Sequence, residues 1–129
     1  MIVVGKKVEF VRRIEESDLL KFIIISNDRN MFHTDEKYCL ENGYKGIVSH
    51  GMLLASVASY IPGVLMGLEG AVLISQSFSF IKPAYIGDEI KYIGEILKYE
   101  KRFGVVDISL LIINHNNEKI ATGLFQMKY

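Results

Sequence analysis

Between Gly46 and Leu68 the chain carries no Asp, Glu, Lys or Arg. A run of that length without charge has to be covered on nearly every side. A bilayer could cover it, since one helical span needs about 20 apolar residues. However, the segment contains Ser49, His50, Ser56, Ser59, Tyr60, Pro62 and four glycines, which suit hydrocarbon poorly. A helix enclosed in a protein core accounts for the same residues. The pattern predicts that helix from about His50 to Tyr60, with Pro62-Gly63 as its stop.

The flanking sequence supplies what could cover it. Val8 to Arg13 reads as a short strand. Ser17 is the expected cap of a helix with Leu19, Leu20, Phe22 and Ile23 on its apolar side, fading at Ser26-Asn27-Asp28. A polar loop, Asp28 to His33, follows, and Asp35 caps a short helix that ends at Asn42-Gly43. After Gly70, Ile74, Gln76, Phe78 and Phe80 alternate with serines, a strand period of two. Glu89 to Lys98, Phe103 to Ile113 and Lys119 to Lys128 read as three further strands, the last two joined by a hairpin turn at His115-Asn116-Asn117-Glu118. Helices grouped before strands favour an α+β fold with an antiparallel sheet packed on the buried helix. With 129 residues, half of them apolar, one domain spanning 1–129 is expected.

Charge and cysteine content remove several functions. Lys+Arg and Asp+Glu both number 15, so the basic excess that phosphate binding wants is missing and no nucleic-acid partner is expected. The lone Cys39 cannot form an internal disulfide or a zinc–thiolate cluster. It reads as a buried, inert thiol and fits a cytoplasmic protein. No signal peptide is recognised at the start of the sequence, and no membrane partner is expected.

Asp28, His33 and His50-Gly51 stand out as groups able to do chemistry. A spacing of five keeps Asp28 and His33 off one helical face. In a loop, a carboxylate and an imidazole could converge on one water and form an acid–base pair near neutral pH. The same letters also describe a loop aspartate and a surface histidine. Asp28, His33, Asp35 and His50 offer metal-ligand atoms, but no helical ligand spacing such as HExxH is present, and no metal or other cofactor is expected. No G-x-S-x-G elbow marks a serine hydrolase. His115, in a predicted turn, receives no role. Gly51 in a first helical turn leaves backbone N–H groups free to hold a developing oxyanion, or it simply permits close packing.

Three segments carry a family resemblance. Ser26-Asn27-Asp28-Arg29-Asn30-Met31-Phe32-His33-Thr34-Asp35 resembles the (S/G)-x-D-x-N-P-x-H-x-D loop of MaoC-like hydratases. GIVSHGMLLASVAS, from Gly46, resembles that family's I-x-H-G-M-L-x-x-S segment, and ISQSFSFIKPAYIGDEI, from Ile74, its next strand, turn and strand. Three motifs in the right order cover nearly the whole chain. The resemblance implies a hotdog fold, a long central helix wrapped by a curved antiparallel sheet, and a homodimer or higher homo-oligomer. It implies reversible syn addition of water to a trans-2-enoyl thioester of coenzyme A or acyl carrier protein, giving the (R)-3-hydroxyacyl product.

Carried over by position, Asp28 and His33 are the catalytic pair, Asn30 orders the loop, and Gly51 donates its N–H to the thioester carbonyl. Ser59 lies near the acyl pocket or the pair, and Asn30, His50, Gly51 and Ser59 form the expected substrate-binding set. Met31 stands where the family has proline, Asn27 where a small residue is common, and Ser49 where an apolar residue is usual. Those departures bear on loop geometry and substrate preference, not on the reaction. Two other activities are compatible with a hotdog: a thioesterase, whose helix usually carries an acid that Gly51 to Tyr60 lacks, and a non-catalytic acyl-CoA-binding protein.

Overall fold

The computed structural model describes residues 1–129. Strand β1 (Lys7–Arg13) leads into helix α1 (Glu16–Ser26) and two short helices, α2 (Met31–Thr34) and α3 (Glu36–Glu41). Helix α4 (Gly51–Ala58) continues into a π-helical turn, Ile61–Leu65. Four strands follow: β2 (Val72–Phe80), β3 (Glu89–Glu100), β4 (Val105–Asn114) and β5 (Lys119–Lys128). All pairings are antiparallel, in the order β1-β3-β4-β5-β2.

Alternation along the central strands turns one sheet face into the core. Ile90, Tyr92 and Ile96 of β3 and Val106, Ile108, Leu110 and Ile112 of β4 are buried, while their neighbours stay half-exposed. Leu53, Leu54 and Ala58 of α4 join that core, followed by Ile61 and Met66. Burying each such aliphatic side chain stabilises the fold by about 1.5–3 kcal/mol. Gly94, in the middle of β3, makes the seating possible: a Cβ there would stand 2.6 Å from Ile61 Cγ2. One side of the uncharged segment is therefore a core element, but the segment is not covered on nearly every side as expected, since Met52, Ser56, Tyr60 and Val64 are exposed.

Several boundaries differ from the sequence reading, each for a local reason. Glu15, not Ser17, caps α1, because the Asp18 carboxylate accepts the Glu15 N–H at 2.9 Å and is held by Arg12 at 2.6 Å. The polar loop contains one helical turn, α2, because Asn30 Oδ1 accepts the Phe32 N–H at 3.1 Å. The central helix is shorter as regular α-helix than expected. Pro62 does not end the helical path, since it enters the first turn of the π segment, where its missing N–H is not needed. Strand β4 begins after Phe103 because Gly104 turns the chain with φ +63°.

Strand β2 lies at the sheet edge and pairs on one side alone, with β5. Val72, Leu73, Ile74 and Phe80 are exposed, and so is Ile81 just beyond. A long, apolar edge with free backbone groups is a template for pairing with another strand. From the central segment, Met52, Tyr60 and Val64 also remain exposed. No helix is long and apolar enough to cross a membrane.

Candidate active site

The loop between α1 and α2 folds through its own short polar side chains. Asn27 closes α1 in the left-handed region, at φ 57°, with its N–H on Ile23 O. Asp28 N–H then donates to Ser26 Oγ at 3.1 Å, and Asp28 Oδ1 accepts the Asn30 N–H at 3.1 Å. These turns bring Asp28 and His33 together despite their five-residue spacing. Asp28, His33 and His50 each offer a polar atom, and the three lie within 4.8 Å of one another. Asp28 is exposed, His33 half-buried and His50 buried, at 1%.

Backbone carbonyls set both imidazoles. His33 Nδ1 lies 2.6 Å from Val48 O. A carbonyl oxygen accepts and cannot donate, so Nδ1 carries the hydrogen and the neutral ring keeps its lone pair on Nε2. His50 Nε2 likewise donates to Asp28 O at 2.9 Å, leaving Nδ1 without a partner within the chain. The two rings stack, with centroids 3.8 Å apart and planes inclined by 24°. Phe22 of α1 covers His50 at 4.9 Å. The spacing of the three groups would admit a metal ion. Asp35 is engaged elsewhere, accepting the Tyr38 N–H at the start of α3.

Desolvation holds the His50 pKa below its usual value, opposed by the hydrogen bond to the Asp28 carbonyl and assisted by neighbouring His33. As pH falls through about 6.5, the unfolded chain therefore takes up a proton that the folded chain refuses. Stability present above that pH is lost on acidification. Melting temperature should drop between about pH 7 and pH 5, and His50→Gln should flatten that drop. Equal slopes in the two proteins would count against a neutral His50.

Gly51 is the first residue of α4, and its N–H finds no acceptor within the chain. It lines a cleft of about 430 Å³ with Asn30, His33, Val48, Phe80 and Lys82. The glycine also has a packing reason: a Cβ there would lie 2.9 Å from Phe80 Cζ. Both expectations for Gly51 thus have a physical counterpart. Ser59 does not join this group. It ends α4 about 12 Å along the helix axis from Gly51 and lines a second cleft of about 820 Å³ with Phe10, Phe22, Tyr60 and Val64. His50 lines neither cleft, although the resemblance implies a substrate contact for it. Cys39 is buried, with Sγ 3.1 Å from Phe32 O, and His115 is exposed. Sequence reasoning missed Val48, whose side chain carries no signal because its carbonyl does the work. It also missed Phe80, whose place in the alternating β2 pattern gave its strand but not its neighbour.

A central helix packed on one face of a five-stranded antiparallel sheet, with an Asp and a His brought together beside the helix start, is a hotdog domain. The chain belongs to the MaoC-like family: the family model described as "MaoC like domain" matches residues 2–112. It is similar to the (R)-specific enoyl-CoA hydratase of Aeromonas caviae, with 27% identity over 120 residues, covering 93% of this chain and 90% of that protein. It also resembles a mitochondrial 3-hydroxyacyl-[acyl-carrier-protein] dehydratase of Arabidopsis thaliana, at 30% identity over 94% of this chain and 73% of that one. The solved structure of the A. caviae (R)-hydratase superposes with a TM-score of 0.90 at 26% identity, covering 98% of this chain and 96% of the other.

Proposed function

We propose that the protein is an (R)-specific enoyl-CoA hydratase, working in either direction between a trans-2-enoyl thioester and the (R)-3-hydroxyacyl thioester. The observation that carries this is the approach of Asp28 and His33 to within 4.8 Å, beside a cleft that Gly51 lines. His33 Nε2 takes a proton from water, and the water oxygen bonds to C3. The C2–C3 π pair moves toward the thioester oxygen, which the Gly51 N–H holds as an enolate. The His33 imidazolium then returns a proton to C2, and the enolate collapses to the thioester. Asp28 orients the water and stabilises the imidazolium. Hydroxyl and proton arrive from one face, which gives syn addition. The apolar cleft around Ser59 takes the acyl chain, and the carrier is coenzyme A or acyl carrier protein.

Crotonyl-CoA tests the reading. Enoyl absorbance should fall without release of free thiol, and chiral analysis should find the (R) product. Free thiol would indicate a thioesterase, an (S) product would overturn the stereochemical assignment, and no turnover with any enoyl thioester would leave a binding protein. A carboxylate on α4, which a hotdog thioesterase would use, is absent.

The active unit is a dimer, built by pairing the apolar β2 edge with that of a second copy, in a cytoplasmic setting. Light scattering at micromolar concentration should show no major species near the chain mass of 14.6 kDa. A stable, active monomer would remove this part of the reading.

A further inference from the structure

We infer that His50 is a positioning residue for this reaction, setting the spacing of Asp28 and His33 by one hydrogen bond and one stacked face. The inference rests on the hydratase reading above but has a test of its own. The catalytic loop is exposed around Asp28, and its internal bonds to Ser26 and Asn30 fix its shape without fixing where it sits. Its place is set by the segment Val48-Ser49-His50. Val48 O accepts from His33 Nδ1, and Val48 N–H donates to Phe32 O at 3.0 Å. Ser49 N–H donates to Ala84 O at 2.7 Å, and Val48 bridges Tyr85, which ties the segment to the β2–β3 connection. His50 then reaches across to Asp28 O and leads directly into Gly51. The catalytic pair and the oxyanion donor are thus referenced to one three-residue clamp, and His50 supplies its side-chain link to Asp28.

The position asks three things of its residue. It must donate one hydrogen at ring length, offer a flat face to His33, and carry no charge beside an imidazole that becomes cationic during turnover. Phenylalanine meets the second and third requirements, glutamine the first and third, and lysine fails the third. Buried histidine meets all three. Burial keeps it neutral, because desolvation lowers its pKa. Its Nδ1 is left buried and unpartnered, a feature that a purely packing side chain would avoid. This makes sense where the opposite nitrogen has a task.

Two variants and one spectrum test the assignment. His50→Phe keeps the stack and removes the donor, so kcat should fall by about 10²-fold with little change in KM, as misplacement of reacting groups does. His50→Gln restores a donor at nearly the same reach and should recover at least about tenfold of that loss. A folded His50→Phe protein with wild-type kcat overturns the proposal, and so does a glutamine variant no better than the phenylalanine one. If His50→Phe does not fold, ¹⁵N NMR of the wild-type imidazoles at neutral pH decides between the two outcomes. A neutral Nε2–H ring with bare Nδ1 is expected, whereas an imidazolium or an Nδ1–H tautomer at His50 overturns the proposal. The spectrum needs no turnover, so a failure of the hydratase reading and a failure of this one are separable.

Discussion

Asp28→Asn and His33→Gln should each lower enoyl-thioester hydration by about 10²–10⁴-fold, the usual worth of a general acid–base group. Both proteins should remain folded. Asparagine at position 28 keeps an oxygen able to accept the Asn30 N–H, so the turn that shapes the loop survives while the charge is lost. Residue 33 is half-buried on one helical turn at the cleft, where glutamine fits but brings no basic nitrogen lone pair. Because the two groups act on one water, the double variant should be hardly worse than the poorer single one. Turnover would be measured on protein whose fold is verified by circular dichroism. Near wild-type kcat in either folded single variant would remove that residue from the pair, and fully additive losses would separate their roles.

The loop that holds this pair was legible because its geometry is written in side chains. Ser26, Asn27, Asp28 and Asn30 are the residue types that close one helix and turn the chain; the short α2 turn that Asn30 also caps reads as loop in the sequence. His33 itself could be singled out, but its orientation depends on the Val48 carbonyl, and a main-chain acceptor leaves no letter in the sequence. His50 shows the opposite failure. A histidine before a helix-initial glycine reads as a cleft residue, and its burial arises because Phe22 and His33 come from other elements to cover it. Ser59 reads as a neighbour of either the acyl pocket or the pair, and helix rise alone carries it away from Gly51. The β2 alternation identified a strand, yet strand order, which periodicity does not contain, decides that it is an edge with apolar residues exposed. Local chemistry was readable wherever contacts are short in sequence, and was lost where they are made by distant elements.

Gly51→Val should lower kcat by about 10²–10³-fold, the cost of losing an oxyanion donor, with a smaller effect on melting temperature. The role assigned to Gly51 belongs to its N–H, so the test has to add atoms rather than remove them. A Cβ at this position meets the outer edge of the Phe80 ring at 2.9–3.0 Å. That ring is 49% exposed and sits at the end of a flexible side chain, so it can swing aside and let the fold survive. The space available lies in the cleft that Gly51 and Phe80 both line. The displaced ring and the valine methyls therefore crowd the thioester carbonyl, while Asp28 and His33 keep their chemistry. Phe80→Leu in the same protein separates the two roles of the glycine. If the loss comes from the blocked N–H, relieving the ring contact should restore stability and leave kcat low. Recovery of kcat in the double variant would make Gly51 a packing residue. A folded, fully active Gly51→Val protein would move the oxyanion donor elsewhere.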